Sequence, residues 1–263
     1  MGSVRTSSGS LVRGLRVEES YAVFRAWDFD NGVEENLDRI RHADVLGNAS
    51  AYSQDAFLSA IKRRFEFAGR DRPLIELAKH GVSFDIFRPL LLWHTARIET
   101  VLYLFLTEWL FARFSEGVLY LRADDVRPFI EALAPRNVIP KKWSPSSEGR
   151  VASALLTMAK EAGLLRGTAR REFTAYHLPE ESFLYLLHAM SEVQPNAHAV
   201  VHSPDWQMFL MEPRDVEREL FRLHQYRRVH YEVAGSLAQL KLPCDSAAAL
   251  VAALEAAPAN TTR

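Results

Sequence analysis

A chain of 263 residues, 48% hydrophobic and 25% charged, can bury a sizeable core as one large helical domain or two modest ones. Its formal net charge of −1 and isoelectric point near 6.8 exclude a whole-protein polycation, so any attraction for a polyanion must come from local patches of Lys and Arg. Cys244 is the only cysteine, which excludes an internal disulfide framework and a cysteine-based zinc cluster and fits a reducing, cytoplasmic setting.

Residues 1–16 are rich in Ser, Gly and Arg, hold no apolar run of the kind a secretory signal needs, and are expected to be a disordered tail. From there Val17, Tyr21 and Phe24 recur at helical spacing and predict a first helix over 17–28. A second is expected to end at Gly47, a third to run from an N-cap at Ser53 to Gly69, and a fourth to stop at Gly81. One or two long helices follow over 83–117, with Pro89 at a first-turn position or a kink. The segment "TVLYLFLTEWLFARF" looks membranous, yet its longest uncharged run, Thr100 to Thr107, covers 8 residues. A bilayer span needs about 20. The segment therefore reads as a buried core helix, no membrane span is expected, and 17–116 forms an N-terminal helical bundle.

Residues 117–192 begin a second unit. A short helix capped by Asp124 or Asp125, with Pro128 in its first turn, leads through a Pro- and Ser-rich loop to a helix over 147–162. That helix places Val151, Leu155 and Met158 on its apolar face and stops at Gly163. Residues 164–178 alternate like a two-stranded ribbon, and Pro179 opens another helix. The theme recurs over 193–256, where a helix beginning near Pro213 precedes a strand pair turned at Ala234 to Ser236, then a short Ala-rich helix. Residues 257–263 read as a disordered tail. The fold class is mainly α: a helical bundle with two winged-helix-like helix-plus-hairpin units.

Motifs of catalysis are missing: no GxxxxGK[ST], no GxGxxG after a strand, no HExxH and no GxSxG. Asp124 and Asp125 suit a helix cap better than a metal-binding carboxylate pair. His198 and His202 lie four apart, but Pro195 and Pro204 bracket them and predict a loop. A non-enzymatic protein without metal or cofactor is the expectation.

The basic residues carry more information. Arg136, Lys141, Lys142, Arg150, Lys160, Arg166, Arg170 and Arg171 face only Glu148 and Glu161 between 136 and 171, a local excess of six positive charges. A helix with small polar residues at its entry, Ser144, Ser146 and Ser147, followed by a basic ribbon has the layout of a winged helix. The entry residues can approach phosphates, and the helix dipole favours anions there. Charges that only solvate an exposed face, or a winged helix used for protein docking, give the competing reading. Lys62, Arg63 and Arg64 are poorly balanced by nearby acids and extend the candidate phosphate-contacting surface. Arg214, Arg218 and Arg222 alternate with Asp215, Glu217 and Glu219, which predicts intrahelical ion pairs.

The order of features resembles the BrxA family of the BREX bacteriophage-exclusion systems, formerly described as a putative inner membrane protein. The matching pieces are "ETVLYLFLTEWLFARF", Trp143 and Ser144, "RVASALLTMAKEAGLL", "FLYLLHAM" and "DWQMFLMEPRDVERELFRL" followed by a hairpin, together spanning about residues 17–242. The resemblance implies a largely helical, non-enzymatic protein with similarity to the NusB antitermination factor. It also implies binding to double-stranded DNA within an anti-phage complex of other BREX proteins. It transfers no residue-by-residue signature, so the contact residues above rest on charge alone.

Overall fold

The computed structural model describes residues 7–47, 50–235 and 237–256. In chain order the helices are α1 (Ser8–Leu11), α2 (Val17–Arg25), α3 (Val33–His42), α4 (Ala51–Arg64), α5 (Arg72–Lys79), α6 (Phe84–Ile98) and α7 (Thr100–Leu104). A π-helical stretch (Phe105–Leu110) joins α7 to α8 (Phe111–Ser115), and α9 (Ala123–Glu131) and α10 (Pro145–Glu161) follow. The hairpin β1 (Leu165–Gly167) and β2 (Arg171–Phe173) precedes α11 (Glu180–Val193), α12 (Ala197–Val201) and a 3₁₀ turn (Pro204–Phe209). The chain closes with α13 (Pro213–Gln225), the hairpin β3 (His230–Ala234) and β4 (Leu237–Lys241), and α14 (Ala247–Ala256). The fold is mainly helical, with two small antiparallel sheets of two strands each among the described residues. A single buried cluster runs from Leu11 to Val251, with α6 packed on α11 and α14 against α5 and α11.

Several sequence expectations are corrected. Residues 7–16 are not a tail: α1 forms, and Leu11 and Leu15 are fully buried in the core. The expected disorder of 1–6 and 257–263 lies outside the described residues, as does Ser236 of the expected turn. The third helix starts earlier, because Ser50 rather than Ser53 supplies the cap, and it ends at Arg64. Pro89 sits inside α6, where burial in the core outweighs the lost backbone hydrogen bond. Arg122 holds the N-cap position of α9, and Asp125 instead accepts from the Arg122 N–H at 2.7 Å, so the acid caps from the third position. Pro128 then falls in the second turn. Residues 197–201 are a short helix and not a loop, with the rings of His198 and His202 stacked 4.0 Å apart.

The long apolar segment is interrupted. At Glu99 the backbone leaves the helical region (φ −93, ψ 82), and its carboxylate enters a buried ion pair with Arg64. No helix among the described residues is long and apolar enough to cross a membrane.

Candidate nucleic-acid interface

Helix α10 starts where Ser144 accepts a hydrogen bond from the Ser147 N–H at 3.3 Å, and Pro145 occupies the first turn, where a missing N–H costs nothing. Val151, Leu155 and Met158 bury one side of the helix. Ser146, Arg150, Ser153, Thr157 and Lys160 recur at three- or four-residue intervals and so share the opposite, outward face. Gly149 lies among them with open space where a Cβ would be. The face is low, polar and cationic, and one side of it is walled by residues 12–14. Together they form an open groove of about 610 Å³ that includes Arg13, Arg150, Ser153 and Thr157.

The wall is held from beneath. Glu161, at the end of α10, accepts from the backbone N–H groups of Leu15 at 3.0 Å and Arg16 at 3.2 Å, and burial raises its pKa. Arg64 is buried and donates to the carbonyls of Ser10 and Gly14, each at 2.7 Å, and to Glu99 at 3.1 Å. Glu99 also takes Arg63 at 3.1 Å, and Lys62 pairs with Glu34. Burial thus takes Arg64 out of the candidate phosphate-contacting surface, while Lys62 and Arg63 stay exposed beside carboxylate partners. The triplet's charges are compensated, and Arg64 supports the wall of the groove.

On the other side stands the β1–β2 hairpin. Leu165, Arg166 and Gly167 pair with Phe173, Glu172 and Arg171. Leu121, just before α9, bridges Arg171 through two backbone hydrogen bonds of 2.8 and 2.9 Å, so the second strand lies between Leu121 and the first. Gly167 turns the ribbon at φ +93, a backbone conformation that favours glycine. At the tip Arg170 stacks its guanidinium 3.2 Å over the Tyr120 ring. Arg166 is neutralised across the ladder by Glu172 at 2.8 Å. Arg171 is a correction of another kind: its side chain is buried under the hairpin, donating to Thr157 Oγ1 at 3.1 Å.

The remaining candidates divide. Arg150 is exposed and touches only the Ser147 hydroxyl at 3.4 Å, and Lys141 and Lys160 are exposed. Arg136 is locked in a two-pronged pair with Glu108 at 2.7 and 2.9 Å, and Lys142 lies 3.7 Å from Glu131, so both are partly spent. The structure therefore brings Ser146, Ser147, Arg150 and Lys160 together on one helix, with Arg170 and Arg171 on the hairpin beside it. Sequence reasoning missed Arg13, set aside with the tail, and Tyr120. It also missed Ser153 and Thr157, although their spacing from Ser146 and Arg150 was readable.

Among the described residues no group of three or more His, Cys, Asp or Glu is placed to hold a metal ion. The buried chain Asp71–His94–Tyr185, at 2.5 and 2.9 Å, lies in the core. Burial lowers the His94 pKa, while the hydrogen bonds from His94 and Arg70 hold the Asp71 carboxyl below the usual range despite its burial.

Comparison with known proteins gives one family model, described as BrxA, which matches residues 7–189, more than half of the chain. Among solved structures the chain is similar to an uncharacterized protein from Magnetospirillum magneticum. That likeness has 17% identity and a TM-score of 0.55, covers 79% of this chain and 100% of that one, and speaks to the fold alone. No curated protein matches.

Proposed function

This chain belongs to the BrxA family, which carries a BREX-associated role, and from that premise we propose that it is a non-enzymatic accessory protein that binds duplex DNA in a bacterial anti-phage defence system. The observation that carries the reading is the outward face of α10, whose cations lack carboxylate partners, beside a hairpin that presents Arg170. Leu121, α9, α10 and the hairpin follow one another in winged-helix order, with α10 in the recognition position. Small side chains on that face let a duplex approach closely, and Arg150, Lys160, Arg170 and Arg13 meet phosphates with little base readout. An adaptor role has one observation in its favour: Leu119, 73% exposed, adjoins exposed Tyr120 and lies near Phe114 in sequence.

Fluorescence anisotropy with a labelled non-specific duplex at about 50 and 200 mM salt tests the proposal. Affinity should fall with a log–log slope near −0.9 for each phosphate neutralised. Arg150→Glu combined with Arg170→Glu should weaken binding at least tenfold at the lower salt while leaving the thermal midpoint unchanged. Binding that is absent, or indifferent to both substitutions, would refute the DNA reading and move attention to Leu119 and protein partners.

A further inference from the structure

Arg171 is an anomaly by the rules of protein interiors. Its residue is 9% exposed, and no carboxylate reaches it: the one influence on its pKa is burial, which lowers it. Its Nη2 donates to a neutral hydroxyl, Thr157 Oγ1, at 3.1 Å, and its Nε is buried with no acceptor. Thr157 in turn donates to the Ser153 carbonyl at 2.8 Å, so this hydroxyl adds no negative charge. The contrast with Arg64 is direct, since that buried guanidinium has Glu99 and two carbonyls. An uncompensated buried cation is costly to keep, and a compensating anion recovers the cost. Thr157 is also a wall of the groove, with Arg13, Arg150 and Ser153.

We infer that Arg171 is a buried receptor for a phosphate oxyanion seated in the groove at Thr157, its source being the backbone of the bound duplex. The source rests on the function proposed above; the receptor rests on the geometry of Arg171. Arg150 and Arg13 meet the same phosphate from the rim, and the receptor sets the register of α10 on the strand. A structural arginine stabilises the free protein, whereas a receptor destabilises it until the anion arrives.

The test compares wild type, Arg171→Met and Arg171→Lys. Thermal midpoints are measured in inorganic phosphate and in chloride at equal ionic strength, alongside duplex anisotropy. Phosphate strengthens apolar burial in any protein, so the signal is the wild-type rise in excess of that in Arg171→Met. We expect such an excess, a midpoint for Arg171→Met in chloride equal to or above wild type, and a partial response in Arg171→Lys. Duplex affinity should drop about tenfold in Arg171→Met, with the salt slope smaller by about 0.9, one phosphate. An Arg171→Met protein that is unfolded or less stable in chloride, while Arg171→Lys folds without a phosphate response, would make Arg171 scaffold and overturn the inference. Duplex binding without any excess response to phosphate would overturn it too, and leave the proposed function standing. An Arg171-dependent phosphate response in a protein that binds no duplex would refute the proposed function and the duplex as source, and retain the receptor.

Discussion

The two helix-plus-hairpin units share an architecture and differ in how their charge is spent. In α13 and its hairpin four of the five arginines have carboxylates, with Arg227 in the turn the exception: Arg214 meets Glu212 at 2.8 Å, Arg218 meets Asp215, Arg222 bridges Glu219 and Glu180, and Arg228 reaches Glu180 at 3.2 Å. In α10 and its hairpin only Arg166 has such a partner, while Arg150 touches a serine, Arg170 a tyrosine ring and Arg171 a threonine. A compensated cation projects little field beyond the Debye length of about 8–10 Å, and an uncompensated one remains available to a polyanion. Under the proposed function, what distinguishes a binding face from a solvated one is therefore pairing and not the count of basic residues.

The largest effect expected from that rule lies away from both units. Arg64 belongs to a basic triplet in sequence but is fully paired and buried, so Arg64→Ala leaves the buried Glu99 with Arg63 as its one cation and releases residues 10–14. Denaturant unfolding should show a loss of about 3–5 kcal/mol, the usual cost of breaking a buried pair. A stable Arg64→Ala protein with weakened duplex binding would return Arg64 to the interface and break the comparison. Next come the two turns. A Cβ on Gly167 would collide with the Arg170 carbonyl oxygen, whereas one on Gly235 meets open space, and both residues have positive φ. Gly167→Ala should cost about 1–3 kcal/mol and misplace Arg170, lowering duplex affinity several-fold. Gly235→Ala should cost about 1 kcal/mol from backbone strain alone and leave affinity unchanged. Equal losses of affinity at the two turns would mean that both hairpins face the duplex.

The helices and both ribbons were readable because apolar spacing, Gly stops and Pro starts are local signals, and Glu108 and Arg113 showed that the long apolar segment is too interrupted to span a bilayer. Partnership was not readable. The intrahelical pairs of α13 could be predicted, since partners three residues apart meet on any helix. Arg64 with Glu99 and Arg136 with Glu108 come together only through tertiary packing, so two candidate contacts were spent in ways no window of sequence reveals. The same holds for Arg13: composition placed it in a tail, and what anchors that segment is Glu161, about 145 positions further on. Arg171 was named for its charge, and its burial became visible only once β2 was paired to Leu121.

The smallest effects sharpen the comparison most, because they change charge without touching the core. Glu172→Gln should free Arg166 on the α10 side, and Glu212→Gln should free Arg214 on the α13 side. Both pairs are exposed, so stability should shift by no more than about 1 kcal/mol in either variant. Net charge rises by one in each. If pairing on the α10 face governs binding, Glu172→Gln alone should tighten duplex binding a few-fold at low salt, and the gain should vanish as salt screens it. Equal gains from the two substitutions would show that the duplex senses overall charge and not the α10 face, and the distinction between the two units would then have no functional content.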